Sequence, residues 1–210
     1  MAPFLADDSF VTLLDTASGK LALGENVQGV VLAAALLGEP LLAGNLTLTN
    51  GAIGLGGHPA PPDELAQALL AHTEKQLFTH RFTVVDWIST YRGSSVDMVA
   101  GRLARNGVIQ VQQQRRLGRT STRFAPTDPS SAFLRSERIW AYLRHGAQLS
   151  IHDCVLAALT AQAPGSAERY DLDRSAQAHL RALVAELPLP LRELITAADT
   201  AALASVGRRV

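Results

Sequence analysis

The 210-residue sequence predicts a mainly α protein: a single globular α-helical domain over residues 1–210 carrying two small β-hairpins. Three observations carry that prediction. Apolar residues recur at helical spacing through most of the chain. The most apolar run, Val30 to Leu37, stops at Gly38, Glu39 and Pro40, as a buried central helix would. Strand-like character is confined to two short stretches, each beside a Gly turn signal. The balance of 47% apolar and 18% charged residues is that of a globular chain able to bury a sizeable core.

In chain order, Val27, Val30, Val31 and Ala34 follow the i, i+3, i+4, i+7 pattern, and Pro40 is expected to end or kink that helix. Leu46 and Leu48 alternate with Asn45, Thr47 and Thr49, and Asn50-Gly51 then turns the chain into Ala52 to Leu55, a small hairpin. Gly56 to Pro62 is a loop, and Asp63 to His72 a helix with Leu65, Leu69 and Leu70. Val84, Trp87, Ile88 and Tyr91 form a full helical stripe. Gly93, Ser94 and Ser95 interrupt it before a second stripe, Val96, Val99, Ala100 and Leu103, which Asn106-Gly107 closes with a left-handed cap. Val108 to Gln112 and Ser121 to Phe124 pair as strands, giving a second hairpin over 108–124. The rest is helical: one helix carries Phe133 and Trp140, and Ser150 with Asp153 caps the next. Leu180, Leu183, Val184 and Leu187 mark a third, and Thr196 with Asp199 caps a last short one.

The formal charge of zero conceals an uneven distribution. Residues 1–80 hold two basic and eight acidic side chains, whereas residues 101–144 hold nine basic and two acidic. The lone Cys154 excludes an intrachain disulfide and suits a reducing compartment. The N-terminus has no signal-peptide pattern. Val30 to Leu37 falls far short of the roughly 20 apolar residues a membrane span needs. The expected location is cytoplasmic, peripheral to the inner face of a membrane.

Catalytic patterns are sparse. His152, Asp153 and Cys154 are adjacent, so on a helix they point about 100° apart and do not converge as nucleophile, base and orienter. The six histidines lack metal-ligand spacing, and Gly51 to Gly57 lacks the Lys-Ser/Thr and following helix of a phosphate cradle. No catalytic residue, metal or cofactor is expected.

What remains is a binding surface. RLARNGVIQVQQQRRLGRTSTRF, Arg102 to Phe124, contains no acidic residue and gathers Arg115, Arg116, Arg119 and Arg123 around a single apolar residue, Leu117. A cationic projection of this kind meets phosphate, on a membrane or on nucleic acid. Helix, turn, helix, Gly cap and basic hairpin over 83–124 also match the layout of a winged-helix module, in which the Asp97–Asn106 helix would enter a major groove. A third reading is an oligomeric scaffold whose hairpin packs on another subunit.

The ordered set of segments resembles the Golgi phosphoprotein 3 family. FVTLLDTASGK (10–20) is similar to its opening segment, VVLAAALLGEPLLAGNLTL (30–48) to its central helix, and PAPPDELAQALL (59–70) to its Pro-rich loop and following helix. VVDWI (84–88), RLARNGVIQV (102–111) and LSIHDCVLAALTAQAPG (149–165) continue the match. The Arg-rich, Lys-poor composition suits a bacterial member. The resemblance implies a mostly helical fold, phosphatidylinositol 4-phosphate recognition, a membrane-contacting hairpin that supports homo-oligomers, and adaptor binding of membrane-protein cytosolic tails. Its headgroup positions fall here on Gly24, Ala33, Gly93 and Val96, with Arg92 the adjacent basic substitute. The resulting expectation is a non-enzymatic protein that binds anionic phospholipid through Arg92, Arg115, Arg116, Arg119 and Arg123. Leu117 would insert into the membrane, and nucleic acid is the less favoured partner.

Overall fold

The computed structural model describes residues 4–59, 61–116, 119–161 and 166–206, with the side chains of 114–116, 119, 120, 132, 135, 136, 167 and 168 outside that description. Among the described residues there are ten helices and three two-stranded antiparallel ladders, a mainly α fold with small hairpins.

Helix α1 (Leu5–Leu13) leads into a minimal ladder of β1 (Leu14–Asp15) and β2 (Lys20–Leu21). Helix α2 (Glu25–Leu42) is the axis of the fold, and every residue from Val30 to Leu37 is at most 2% exposed. A helix apolar on all sides is stable only when neighbours cover every face. Here α1, α4, α5, α7 and α10 do so. The Asn50-Gly51 turn joins β3 (Leu46–Thr49) to β4 (Ala52–Leu55), with φ of 49° and 72° at the two turn residues. Positive φ at both is the two-residue hairpin turn that fits strand twist.

Helix α3 (Glu64–Thr79) is capped by Asp63, whose carboxylate accepts from Ala66 N at 2.9 Å. Helix α4 (Val84–Tyr91) opens on a capping box between Thr83 and Asp86, and α5 (Ser95–Arg105) ends at Gly107 with φ 70°. The hairpin of β5 (Ile109–Arg116) and β6 (Arg119–Pro126) follows. The remainder is α6 (Pro129–Arg144), α7 (Ile151–Ala161), α8 (Ser166–Arg169), α9 (Arg174–Glu186) and α10 (Leu189–Val206).

Several boundaries differ from expectation. Pro40 lies inside the last turn of its helix: α2 runs two residues further, to Leu42, and Asn45 N donates to the Pro40 carbonyl at 2.9 Å. Proline in a last turn forfeits one hydrogen bond without breaking the following cap. Helix α3 runs seven residues past His72, to Thr79. Thr196 and Asp199 cap nothing, because α10 is continuous and the Thr196 hydroxyl donates to the Arg192 carbonyl one turn back. The hairpin strands extend through the arginines, and β1–β2 forms a third small ladder that the sequence did not announce. The cap at Ser150 is present, with Asp153 N donating to its hydroxyl at 3.0 Å.

Candidate functional site

The β5–β6 hairpin is rooted in the core. Ile109 and Phe124 are buried, and Phe124 meets Phe10 edge-on with centroids 5.0 Å apart. Phe124 N donates to Gly19 O at 2.7 Å, tying the foot of the hairpin to the β1–β2 turn. Beyond that foot, Gln110, Val111, Gln112 and Gln113 are exposed. The register pairs Arg116 with Arg119, Arg115 with Thr120 and Arg123 with Gln112. Strand alternation therefore assigns positions 116, 119 and 123 to one side of the ladder and 115 to the other. Leu117 lies outside the described residues, as do the side chains of Arg115, Arg116 and Arg119. Arg123 sits low on the hairpin, half-buried, and its Nε is enclosed without a hydrogen-bond partner.

Arg92 is exposed at the end of α4, and its position is set by close backbone packing. A Cβ on Gly29 of α2 would lie 2.1 Å from the Arg92 carbonyl oxygen, and the Ser95 hydroxyl donates to Gly29 O at 2.9 Å. Arg92 lines a groove of about 660 Å³ between α4 and α10, opposite Arg192. Both guanidiniums are exposed, and among the described residues neither makes an ion pair or side-chain hydrogen bond. Val85 and Leu189 give the groove an apolar edge, and Ser89 adds a hydroxyl. The positions inferred from the family resemblance do not form a cradle of their own. Ala33 has no exposed surface and its carbonyl accepts from Trp87 Nε1 at 2.9 Å, while Gly24 and Gly93 face open space.

Arg102, which opens the acid-free stretch, is not part of the basic surface. It is 1% exposed and surrounded by carboxylates from three other segments. Nε donates to Asp7 Oδ1 at 2.8 Å, Nη2 and Nη1 to the two Glu39 oxygens at 2.6 and 2.9 Å, and Nη1 to Asp63 Oδ1 at 3.4 Å. The Phe4 ring lies 4.3 Å from its guanidinium carbon. Burial pushes the Asp7 carboxyl up to about 6, although Arg102 pulls the other way, and it raises Glu39 as well. Burial opposes the charge on Arg102, but the Glu39 and Asp7 contacts outweigh it and hold the guanidinium protonated. Sequence reasoning missed this cluster because its members lie far apart in the chain.

Elsewhere, His152 Nε2 lies 2.9 Å from Asp8 Oδ2, and the Cys154 thiol is buried and pushed up to about 11 by that burial. A thiol so held is inert as a nucleophile at neutral pH. Among the described residues no group of three His, Cys, Asp or Glu is placed to hold a metal ion, and no helix is long and apolar enough to cross a membrane.

The family model for Golgi phosphoprotein 3 (GPP34) matches residues 5–206, and no curated protein matches the chain. The match covers nearly the whole sequence, so the chain belongs to the Golgi phosphoprotein 3 family.

Proposed function

We propose that this member of the Golgi phosphoprotein 3 family is a non-enzymatic, peripheral binding protein that attaches to anionic phospholipid through the β5–β6 hairpin. The observation that carries the reading is the separation of charge. Arg102 is neutralised inside, while the hairpin holds four arginines and no carboxylate over its whole length. Each basic side chain near an anionic surface contributes roughly 1 kcal/mol, so the four give at most about 4 kcal/mol, an attraction no tighter than the millimolar range, with half-buried Arg123 contributing least. Exposed Val111 on the hairpin, and Phe133 and Leu134 on the helix that follows, offer apolar surface to reinforce it. Several copies on one membrane would bind through avidity, and the docked molecule would act as an adaptor for membrane-protein tails.

Arg92 and Arg192 across the α4–α10 groove support a headgroup phosphate site, with Ser89 as a further donor and the Glu193 carboxylate, which accepts from Gly51 N at 2.8 Å, reducing its net charge to +1. The ligand class is anionic phospholipid in general, since buried Ala33 offers nothing to a specific headgroup. The nucleic-acid reading has less support: α5 buries Arg102 and exposes Asp97, a poor recognition face for DNA.

Flotation with phosphatidylcholine vesicles, with and without phosphatidylglycerol, tests the proposal. The wild type should float with the anionic vesicles at low salt, and Arg115→Glu/Arg116→Glu should not. Equal flotation of both proteins, or of neither, would refute it. Duplex DNA that displaces the protein from vesicles with a steep salt slope would favour the nucleic-acid reading instead.

A further inference from the structure

The hairpin that carries the arginines is also a two-stranded sheet with an open edge. Strands β5 and β6 keep one-to-one register from Ile109↔Pro126 to Arg116↔Arg119, with no bulge. Two hydrogen bonds fix which backbone groups point outward. Thr127 N donates to Val108 O at 2.9 Å across the ladder, so position 108 and every second residue after it turn their N–H and C=O towards β6. Phe124, opposite Val111, instead donates its N–H away from β5, to Gly19 O at 2.7 Å. Ile109, Val111, Gln113 and Arg115 therefore turn their backbone groups away from β6.

The two outer edges are not equivalent. On β6, Gly19 already takes the N–H of Phe124. On β5, the N–H groups of Val111 and Gln113 have no hydrogen-bond partner among the described residues, and Gln110, Val111, Gln112 and Gln113 are all exposed. The strand holds no proline to blunt it. A row of unpaired backbone donors and acceptors is a template for another strand. Side chains decide which strand. Positions 110–114 are uncharged and Val111 is 45% exposed. Beyond them stand Arg115 and Arg116, with Arg119 and Arg123 on β6 and no acid in the hairpin. A second copy of the hairpin would bring four more arginines to these four. Like charges facing each other across a ladder destabilise it, and opposite charges stabilise it.

We propose that the β5 edge accepts an extended acidic segment of another protein as a third strand. The segment runs antiparallel, the slightly more stable pairing. The Val111 and Gln113 N–H groups donate to its carbonyls, and its carboxylates lie opposite positions 115 and 116. Strand addition needs the backbone edge, whereas an anionic vesicle needs only the arginines, so the proposal stands or falls separately from membrane attachment.

The test is calorimetry of the full-length protein at low salt with acetyl-Glu-Glu-Thr-Val-Thr-Val-amide and with its Lys-for-Glu counterpart. The acidic peptide should bind at least about tenfold more tightly, and the gap should shrink at about 1 M salt. Gln113→Pro removes an outward N–H and leaves the β5–β6 ladder its bonds, since proline is tolerated where its nitrogen faces out of a sheet. That variant should bind the acidic peptide at least about tenfold more weakly, yet behave as the wild type does in vesicle flotation. A second arm leaves the protein unaltered. Methylating the nitrogens of one alternate set of peptide residues, the set facing β5, should abolish binding, and methylating the other set should not. Equal affinity for the two peptides, or no binding of either, overturns the proposal. Unaltered binding by a folded Gln113→Pro protein does so too, as do equal effects of the two methylated sets. Self-association of the free protein that Gln113→Pro abolishes in sedimentation would assign the edge to a second copy and overturn it as well.

Discussion

Replacing Arg102 with methionine would remove the one guanidinium that three carboxylates share. Methionine fills a similar elongated space but leaves Asp7, Glu39 and Asp63 facing one another with no counter-charge. The donor lost is 1% exposed and makes four hydrogen bonds between 2.6 and 3.4 Å. Breaking a buried ion pair from one side costs about 3–5 kcal/mol, because the partner charges stay buried and uncompensated. A chain of this size is stable by about 5–15 kcal/mol, so such a loss would be a large fraction of the whole. The cost depends on pH in a defined direction. Burial already raises Asp7 and Glu39, which take up protons as the pH falls, so the loss should be smaller at about pH 5 than at about pH 8. Urea unfolding followed by the fluorescence of buried Trp87 and Trp140 measures both values. Arg102→Met/Asp7→Asn/Glu39→Gln should recover much of the stability. Neutral amides do not repel, and the amide oxygen introduced at position 39 can still accept from Ala6 N, as the carboxylate does now. A single variant within about 1 kcal/mol of wild type at pH 8, with no pH dependence, would refute the reasoning.

Three further outcomes are expected. Gly29→Ala should cost about 1–3 kcal/mol in urea unfolding and displace Arg92, because its Cβ would sit 2.1 Å from a backbone oxygen that no rotamer can move. Asp7 has a carboxyl raised from 3.8 to about 6, so the folded state holds that proton more tightly than the unfolded chain. Its contribution is complete below about 3.8 and is lost as pH rises through about 6, by about 3 kcal/mol at 1.36 kcal/mol per unit. The wild-type minus Asp7→Asn difference in unfolding free energy should fall by that amount across the window. Arg92→Ser/Arg192→Ser should weaken vesicle binding roughly 30-fold, at about 1 kcal/mol per charge, and leave the urea midpoint unmoved.

What the sequence made legible was local. The apolar run of α2, the Asn50-Gly51 turn, the Val84–Tyr91 stripe and the Ser150 cap each depend on residues a few positions apart, and each is present. The Thr196 signal misled because a threonine hydroxyl inside a helix can bond back one turn instead of capping. The hairpin strands were underestimated because Gln110, Val111, Gln112 and Gln113 are all exposed, so no period-two pattern of buried residues marks that part of β5. The Arg102 cluster was invisible for another reason: its partners lie 95, 63 and 39 residues away. Nothing in a one-dimensional pattern distinguishes Arg102 from Arg105, yet one is buried in a carboxylate cage and the other is exposed.

That distinction alters the electrostatics of the whole molecule. The cluster sets three carboxylates against one guanidinium, a net charge of −2 if all are ionised, so the remaining formal charge is +2 for a chain whose total is zero. Burial raises Asp7 and Glu39, so the cluster takes up protons more readily than free carboxylates and its negative charge shrinks first as pH falls. A membrane docked as proposed would respond to charges within a Debye length, about 8 Å at physiological salt. The proposed attraction would thus be governed by the arginines on β5 and β6 and the absence of acid between them. The neutral total is a poor guide to it. The same interior cluster that hides one arginine also ties α1, α2, α3 and α5 together, so the helix feeding the hairpin is anchored by charge, and its foot by Phe124 on Phe10.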